Sequence, residues 1–232
     1  MNDQNHLPTL RYTRAFIGFL ILGGLLSMPV GATEDQQTNS TDEASKSATT
    51  SEIVVFSDSI DAPFQMFLGS NTNWSVPIQG PKTTSYKSKI VTVTTADYLE
   101  RDDAYQVEWK GGLGQIYWQG HEPRDLTDMA SKDAALSMVV RIDKAPKKSV
   151  DLKMDCGYPC AGALNMTRLF QAVPVDQWFR ASFKLSCFKE AGANLAHIAA
   201  PLVVATKGSF KMSFYDVRIL TNPPQDSLID CG

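Results

Sequence analysis

Histidine is scarce: three in 232 residues, of which His6 precedes an N-terminal apolar run. His121 sits in a Gly/Pro-flanked loop and His197 in a short apolar stretch. Neither His-Glu-x-x-His nor Gly-x-Ser-x-Gly occurs anywhere in the chain, which removes the commonest zinc-hydrolase and serine-hydrolase signatures. Cysteine is equally sparse, at four. Cys156 and Cys160 have three residues between them and no second close pair follows, whereas zinc thiolate sites usually use two-residue spacers and need four ligands. The same spacing departs from the Cys-x-x-Cys of thiol redox centres. Runs of Lys and Arg are missing too. The whole chain carries −3; residues 1–32 hold +1 and residues 33–52 hold −4, so residues 53–232 are formally neutral. A neutral body argues against nucleic acid, whose binding depends on neutralising phosphates, and against an anionic membrane surface. The Gly111-Gly112-Leu113-Gly114 cluster is followed by neither Gly-Lys-Ser/Thr nor a helical pattern, so it reads as a turn and not as a phosphate loop.

The one long apolar run lies at the start. Arg11 and Arg14 precede the uncharged stretch Ala15 to Met28, and Pro29 to Ala32 then supplies small residues at the −3 and −1 positions. This is the layout of a secretory signal peptide cleaved after Ala32. Fourteen apolar residues fall short of the roughly 20 that a ~30 Å hydrocarbon core requires, so no membrane span is expected after cleavage. No cysteine follows that could carry a lipid. Residues 33–52 hold no apolar side chain larger than alanine and cannot offset their ordering entropy; they read as a disordered Ser/Thr-rich linker. The expected organisation is a signal peptide over 1–32, a linker over 33–52 and one domain over 53–232, exported to the periplasm or the medium of a bacterium.

The domain alternates with period two. Leu136, Met138, Val140 and Ile142 share one face of a strand; so do Val150, Leu152 and Met154, then Phe179, Ala181 and Phe183, then Phe210, Met212 and Phe214. Each pattern puts one face on a core and the other toward water or a ligand. Val217 and Ile219 fall on the opposite parity from Phe214, which a bulge near Tyr215-Asp216 would reconcile. Tyr105, Val107 and Trp109, then the glycine cluster, then Ile116 and Trp118, read as a β-hairpin. Helix is limited to Leu164–Ala172, stopped before Pro174, and one turn at Phe188–Ala191 ended by Gly192. The expected fold class is all-β, an antiparallel β-sandwich or jelly roll with one or two short helices. Export favours disulfides. Three pairings are open to four cysteines; Gly157 and Pro159 help turn the chain for Cys156–Cys160, which leaves Cys187–Cys231.

From Tyr105 onward the sequence resembles a known family. The Cys156-Gly157-x-x-Cys160 motif with its small-residue segment, Gln177-Trp178 opening a strand, Leu185-Ser186-Cys187-Phe188 closing it, Ala191-Gly192-Ala193-Asn194, and Tyr215-Asp216-Val217-Arg218-Ile219 together are similar to the ExoP-type galactose-binding-like domain. That domain stands at the C-terminus of certain bacterial family 3 β-glucosidases. The resemblance implies a galactose-binding-like sandwich shared with carbohydrate-binding modules, and no catalysis. A barrel of about 250 residues cannot fit in this chain. The expected ligand is therefore a neutral oligo- or polysaccharide, bound without chemistry. The alternative partner is an exported glycoside hydrolase or another envelope protein, docked by a domain that binds no sugar.

Pyranose rings present C–H faces that stack on aromatic side chains, while their hydroxyls need polar partners. Tyr117, flanked in parity by Gln115 and Gln119, lies on a polar strand face suited to this, and Trp74 lies in a polar loop. Tyr98 and Tyr86 are weaker candidates, Trp109 and Trp118 read as core, and Trp178 as partly exposed. A structural Ca²⁺ is the cofactor to consider, with Asp58, Asp61 and Asp216 as oxygen donors. A third reading, an uncharacterised glycoside hydrolase, rests on Glu100, Asp102 and Asp103. A hydrolase needs two carboxyls across a cleft, one with a raised pKa, whereas adjacent acids in a polar segment read as a solvated loop.

Overall fold

The computed structural model describes residues 52–57, 64–80, 83–84 and 89–231; the expected signal peptide (1–32), the expected linker up to residue 51, Asp58, Asp61 and Tyr86 lie outside them, while Glu52, expected in the linker, opens the first strand. The first strands are β1 (Glu52–Phe56), β2 (Phe64–Ser70), β3 (Asn73–Pro77), β4 (Thr83–Thr84), β5 (Val91–Ala96), β6 (Ala104–Lys110) and β7 (Gly114–Gly120). Helix α1 (Thr127–Ser131) leads to β8 (Ala135–Lys144), β9 (Val150–Asp155) and β10 (Ala161–Asn165). Then come α2 (Thr167–Ala172), β11 (Trp178–Lys184), α3 (Leu185–Glu190), β12 (Ala200–Thr206), β13 (Ser209–Leu220) and β14 (Leu228–Ile229).

The strands form two facing sheets. One has eight strands in the order β14-β11-β8-β13-β6-β5-β4, with β1 added to β13; the other has six, in the order β10-β9-β12-β7-β2-β3. Pairing is antiparallel except between β11 and β14. The inward faces are those of the alternation: Leu136, Met138, Val140 and Ile142 on β8, Leu152 and Met154 on β9, and Phe210, Met212 and Phe214 on β13 are all buried. The register slips between Phe214 and Asp216; this bulge returns Val217 and Ile219 to the core.

Three sequence expectations are corrected. β6 and β7 do not form a hairpin: β6 pairs with β5 and β13, while β7 pairs with β2 and β12 in the other sheet. Gly111 (φ 104°) and Gly112 (φ 88°) turn the chain across the sandwich. A Cβ at Gly114 would stand 2.3 Å from Val91, so only glycine passes there. Second, Leu164 belongs to β10, and α2 begins only at Thr167. Third, α1 is a further helix that the periodicity does not signal.

The core is aromatic at its centre. Trp109 stacks on Phe210 at 5.3 Å and Phe210 on Phe170 at 5.8 Å, while Trp118 meets Phe214 edge-on at 5.1 Å. The Trp109 indole donates to the Gly114 carbonyl at 3.1 Å. The Trp118 indole has no acceptor among the described residues. Trp109→Phe therefore leaves a buried carbonyl short of its donor, whereas Trp118→Phe removes an unpaired one. In urea melts Trp109→Phe is expected to lose about 1 kcal/mol more than Trp118→Phe; equal losses would show that the hydrogen bond carries no net weight.

Candidate functional site

The outward face of the six-stranded sheet carries a groove. Outward parity on β7 places Gln115, Tyr117 and Gln119 there; on β9 it places Lys153 and Asp155; β12 supplies Ala200 and Val203. Trp74 on β3 and the loop Gly157–Cys160 complete a cavity of about 820 Å³. The four residues Trp74, Gln115, Tyr117 and Gln119, far apart or merely alternating in the sequence, thus line one cavity. Trp74 lies in a strand, not in the loop expected from its polar neighbours.

Tyr117 forms floor rather than platform. It is 8% exposed, stacks on Phe67 at 5.2 Å with a 15° interplanar angle, and donates its hydroxyl to the Trp74 carbonyl at 3.0 Å. Burial holds that hydroxyl above the ordinary tyrosine value, a hydrogen bond with Ser75 opposes the shift, and the Asp155 carboxylate adds to it; Tyr117 stays a neutral donor. The close approach needs Gly69, since a Cβ there would stand 2.9 Å from both the Trp74 carbonyl and the Gln115 side chain. The β2–β3 hairpin is thereby fastened onto the sheet as one wall, with Trp74 itself 47% exposed. Within the groove, the amides of Gln115 and Gln119 and the Lys153 ammonium have no hydrogen-bond or ion-pair partner among the described residues.

The other wall is the disulfide loop. Cys156–Cys160 and Cys187–Cys231 are both formed. Within the small ring, Cys160 N–H donates to Gly157 at 2.8 Å and Cys156 N–H to Cys160 at 3.1 Å. Asp155 accepts from Gly157 N–H at 2.6 Å, and Asn194 N–H reaches Cys156 Sγ at 3.3 Å. Tyr158 is fully exposed at the top of this ring. Sequence reasoning passed over Tyr158, Lys153 and Asp155. The parity of β9 could have pointed to the last two, and the shortness of a ring too small to bury a tyrosine could have pointed to the first.

The remaining candidates lie elsewhere. Tyr98 packs on Trp178 at 4.9 Å and on Tyr215 at 4.1 Å, over the outer face of the eight-stranded sheet. On that face a cleft of about 690 Å³ is lined by Glu52, Arg180, Asp216 and Arg218. These four pair among themselves: Arg218 with Glu52, Arg218 with Asp216 at 2.6 Å, and Arg180 with Asp216 at 3.5 Å. Asp216, a Ca²⁺ donor by expectation, is held here by two guanidinium groups. Among the described residues no group of three or more His, Cys, Asp or Glu is arranged to hold a metal ion. The acidic segment is a loop fastener. Asp103 accepts the amides of Tyr98, Leu99 and Glu100 at 2.7–2.9 Å. Burial alone would raise its pKa, but these amides outweigh it and hold the carboxyl below its ordinary value, the reverse of what a general acid needs. No helix among the described residues is long and apolar enough to cross a membrane.

Comparison with solved structures places this architecture among known ones. The extra C-terminal domain of the exo-1,3/1,4-β-glucanase ExoP from a Pseudoalteromonas species superposes with a TM-score of 0.66 at 18% identity, covering 77% of this chain and 98% of that domain. Against the whole ExoP enzyme the score is also 0.66, and this chain spans only 22% of its length. The family 30 carbohydrate-binding module of a cellulosomal cellulase from Clostridium thermocellum matches with a TM-score of 0.53 at 16% identity, over 75% of this chain and 99% of the module. At these identities the likeness is one of fold. No curated protein matches the sequence. The family model Exop_C, described as galactose-binding domain-like, matches residues 62–219, and by that match over more than half its length the chain belongs to the Exop_C family.

Proposed function

We propose that the chain is an exported, non-catalytic carbohydrate-binding domain that takes a neutral glycan in the groove between Trp74 and the disulfide loop. The observation that carries this reading is the meeting of Trp74, Gln115, Tyr117 and Gln119 in one cavity, with the two amides unengaged. A cavity of this volume suits an oligosaccharide-sized ligand. The Trp74 indole offers a stacking face, and the amides offer donors and acceptors to ring hydroxyls. Catalysis is disfavoured by the lining: Asp155 is its single carboxylate, whereas glycoside hydrolysis uses two. Two disulfides fit an oxidising compartment and so support export. The β-1,3/1,4-glucan named for the ExoP enzyme is the first ligand to try.

Affinity electrophoresis tests the reading. The purified chain is expected to be retarded in gels containing soluble mixed-linkage β-1,3/1,4-glucan. Trp74→Ala is expected to weaken binding at least tenfold, the loss typical of a stacking anchor, with little change in melting temperature because the indole is half exposed. No retardation on neutral β-glucans or galactans, together with co-purification of an exported glycoside hydrolase, would replace this reading with that of a docking module.

A further inference from the structure

We propose that Tyr158 is the specificity-determining aromatic of the groove, presented by the Cys156–Cys160 ring as the wall opposite Trp74, and that the groove therefore takes a single soluble glycan chain and not the surface of a crystalline one. This rests on the glycan reading of the groove. Six large hydrophobic side chains are exposed among the described residues: Val54, Trp74, Leu99, Leu113, Tyr158 and Val175. Two of the six are aromatic, and both line this one cavity. Scattered surface hydrophobics need no explanation, but two aromatic rings converging on one groove do.

Their placement sets the shape of the ligand. Trp74 stands on β3, one edge of the six-stranded sheet, and Tyr158 on the loop from β9 to β10 at the other edge, with β2, β7 and β12 between them. The floor they flank is built from Gln115, Tyr117 and Gln119 on β7, Ala200 and Val203 on β12, and Lys153 on β9. Rings on two walls above a floor that carries polar side chains grip a chain that lies down between them. A crystalline polysaccharide presents many chains side by side, and such a face cannot descend into a trough; it calls for aromatic rings coplanar on an open surface.

The ring explains how Tyr158 is held. A five-residue loop constrains little of the unfolded chain, so this disulfide contributes modestly to stability. Its local effect is stronger: with the hydrogen bonds at Asp155, Gly157, Cys160 and Asn194, it fixes the backbone from which the fully exposed Tyr158 projects. A pre-ordered aromatic loses less conformational freedom on binding. Opening the ring should thus cost affinity without dismantling the sandwich.

The test compares the full chain with Tyr158→Ala, Tyr158→Phe and a Cys156→Ser/Cys160→Ser double variant. Each is measured by affinity electrophoresis in soluble mixed-linkage β-1,3/1,4-glucan, by sedimentation with microcrystalline cellulose, and by thermal melting. The expected pattern has four parts. Native protein is retarded by the soluble glucan and stays in the supernatant over cellulose. Tyr158→Ala binds at least tenfold more weakly with an unchanged melting temperature. Tyr158→Phe, which keeps the ring face, binds within about twofold of native. The double serine variant weakens as Tyr158→Ala does while keeping its far-UV spectrum. If Tyr158→Ala binds like native protein, the role of Tyr158 is overturned and the glycan reading survives. If the double serine variant alone binds like native protein, the mounting role is overturned. Sedimentation of native protein with cellulose overturns the single-chain assignment. Failure of native protein to bind any glycan overturns this proposal and the reading beneath it. Should the double variant fail to fold, Tyr158→Ala still decides.

Discussion

Replacing both Cys187 and Cys231 with serine is expected to destabilise the domain by about 4 kcal/mol, roughly twice the loss from opening the Cys156–Cys160 ring. The difference follows from loop length. The two bonded pairs are separated by 44 and 4 residues, and the entropy removed from the unfolded chain grows with the logarithm of that length. Cys187 is buried in α3, so the bond ties a core helix to the C-terminal tail, which carries β14 and Ser227. Ser227 shares a 2.8 Å hydrogen bond with the buried Ser182, which reaches Ser137 at 3.0 Å. Urea melts of oxidised native and variant protein measure the loss directly; for a domain of this size it corresponds to a drop of about 10 °C. A loss below about 1 kcal/mol would mean that β14 and the serine chain hold the tail without the bond.

Tyr117 is expected to show a split between stability and binding. Tyr117→Ala removes a stacked ring from the satellite cluster formed with Phe67, Ala200 and Val203 and should cost about 3 kcal/mol. Tyr117→Phe keeps the stack and loses only the hydroxyl that holds the Trp74 carbonyl, a change of about 1 kcal/mol. If the hairpin wall matters to the groove, Tyr117→Phe weakens glucan binding severalfold while its melting temperature falls only slightly. Paired calorimetric melts and affinity gels separate the two effects. Tyr117→Phe binding that matches native protein would show the wall to be held by Gly69 and the β2–β3 pairing alone.

Inward faces were legible from alternation, because a side chain's parity depends only on its own strand. Leu152 and Met154 face the core whichever neighbours β9 takes. Sheet membership depends on those neighbours, and parity is silent about them. A glycine-rich turn between two strands with inward tryptophans reads the same for a hairpin as for a crossing between sheets, which is why the pattern over β6 and β7 suggests a hairpin that does not form. Tyr117 illustrates the same boundary. Its outward parity was visible, but its burial comes from Phe67 and the hairpin at Trp74, brought over it by long-range pairing. Trp74 looked like a loop residue because its polar neighbours lie on a mostly exposed edge strand, where alternation of burial is lost. The Cys156–Cys160 pair was legible from spacing, yet its relation to the groove required knowing that β9 and β10 lie to one side of β12.

The crossing from β6 to β7 also governs how the chain reaches this structure. A hairpin there would have offered a fast local nucleus. Instead β6 finds one neighbour locally in β5, but its other neighbour, β13, first pairs at Ser209, and β7 pairs on one side with β2 and on the other with β12, beginning at Ala200. Contact order is accordingly high, and folding belongs to the millisecond-to-second regime of β-sandwiches and not to the microseconds of local structure. Neither sheet is complete until the last part of the chain has been made. Cys231 follows every strand of both sheets in the chain, so the long disulfide can close only once all of them have been made.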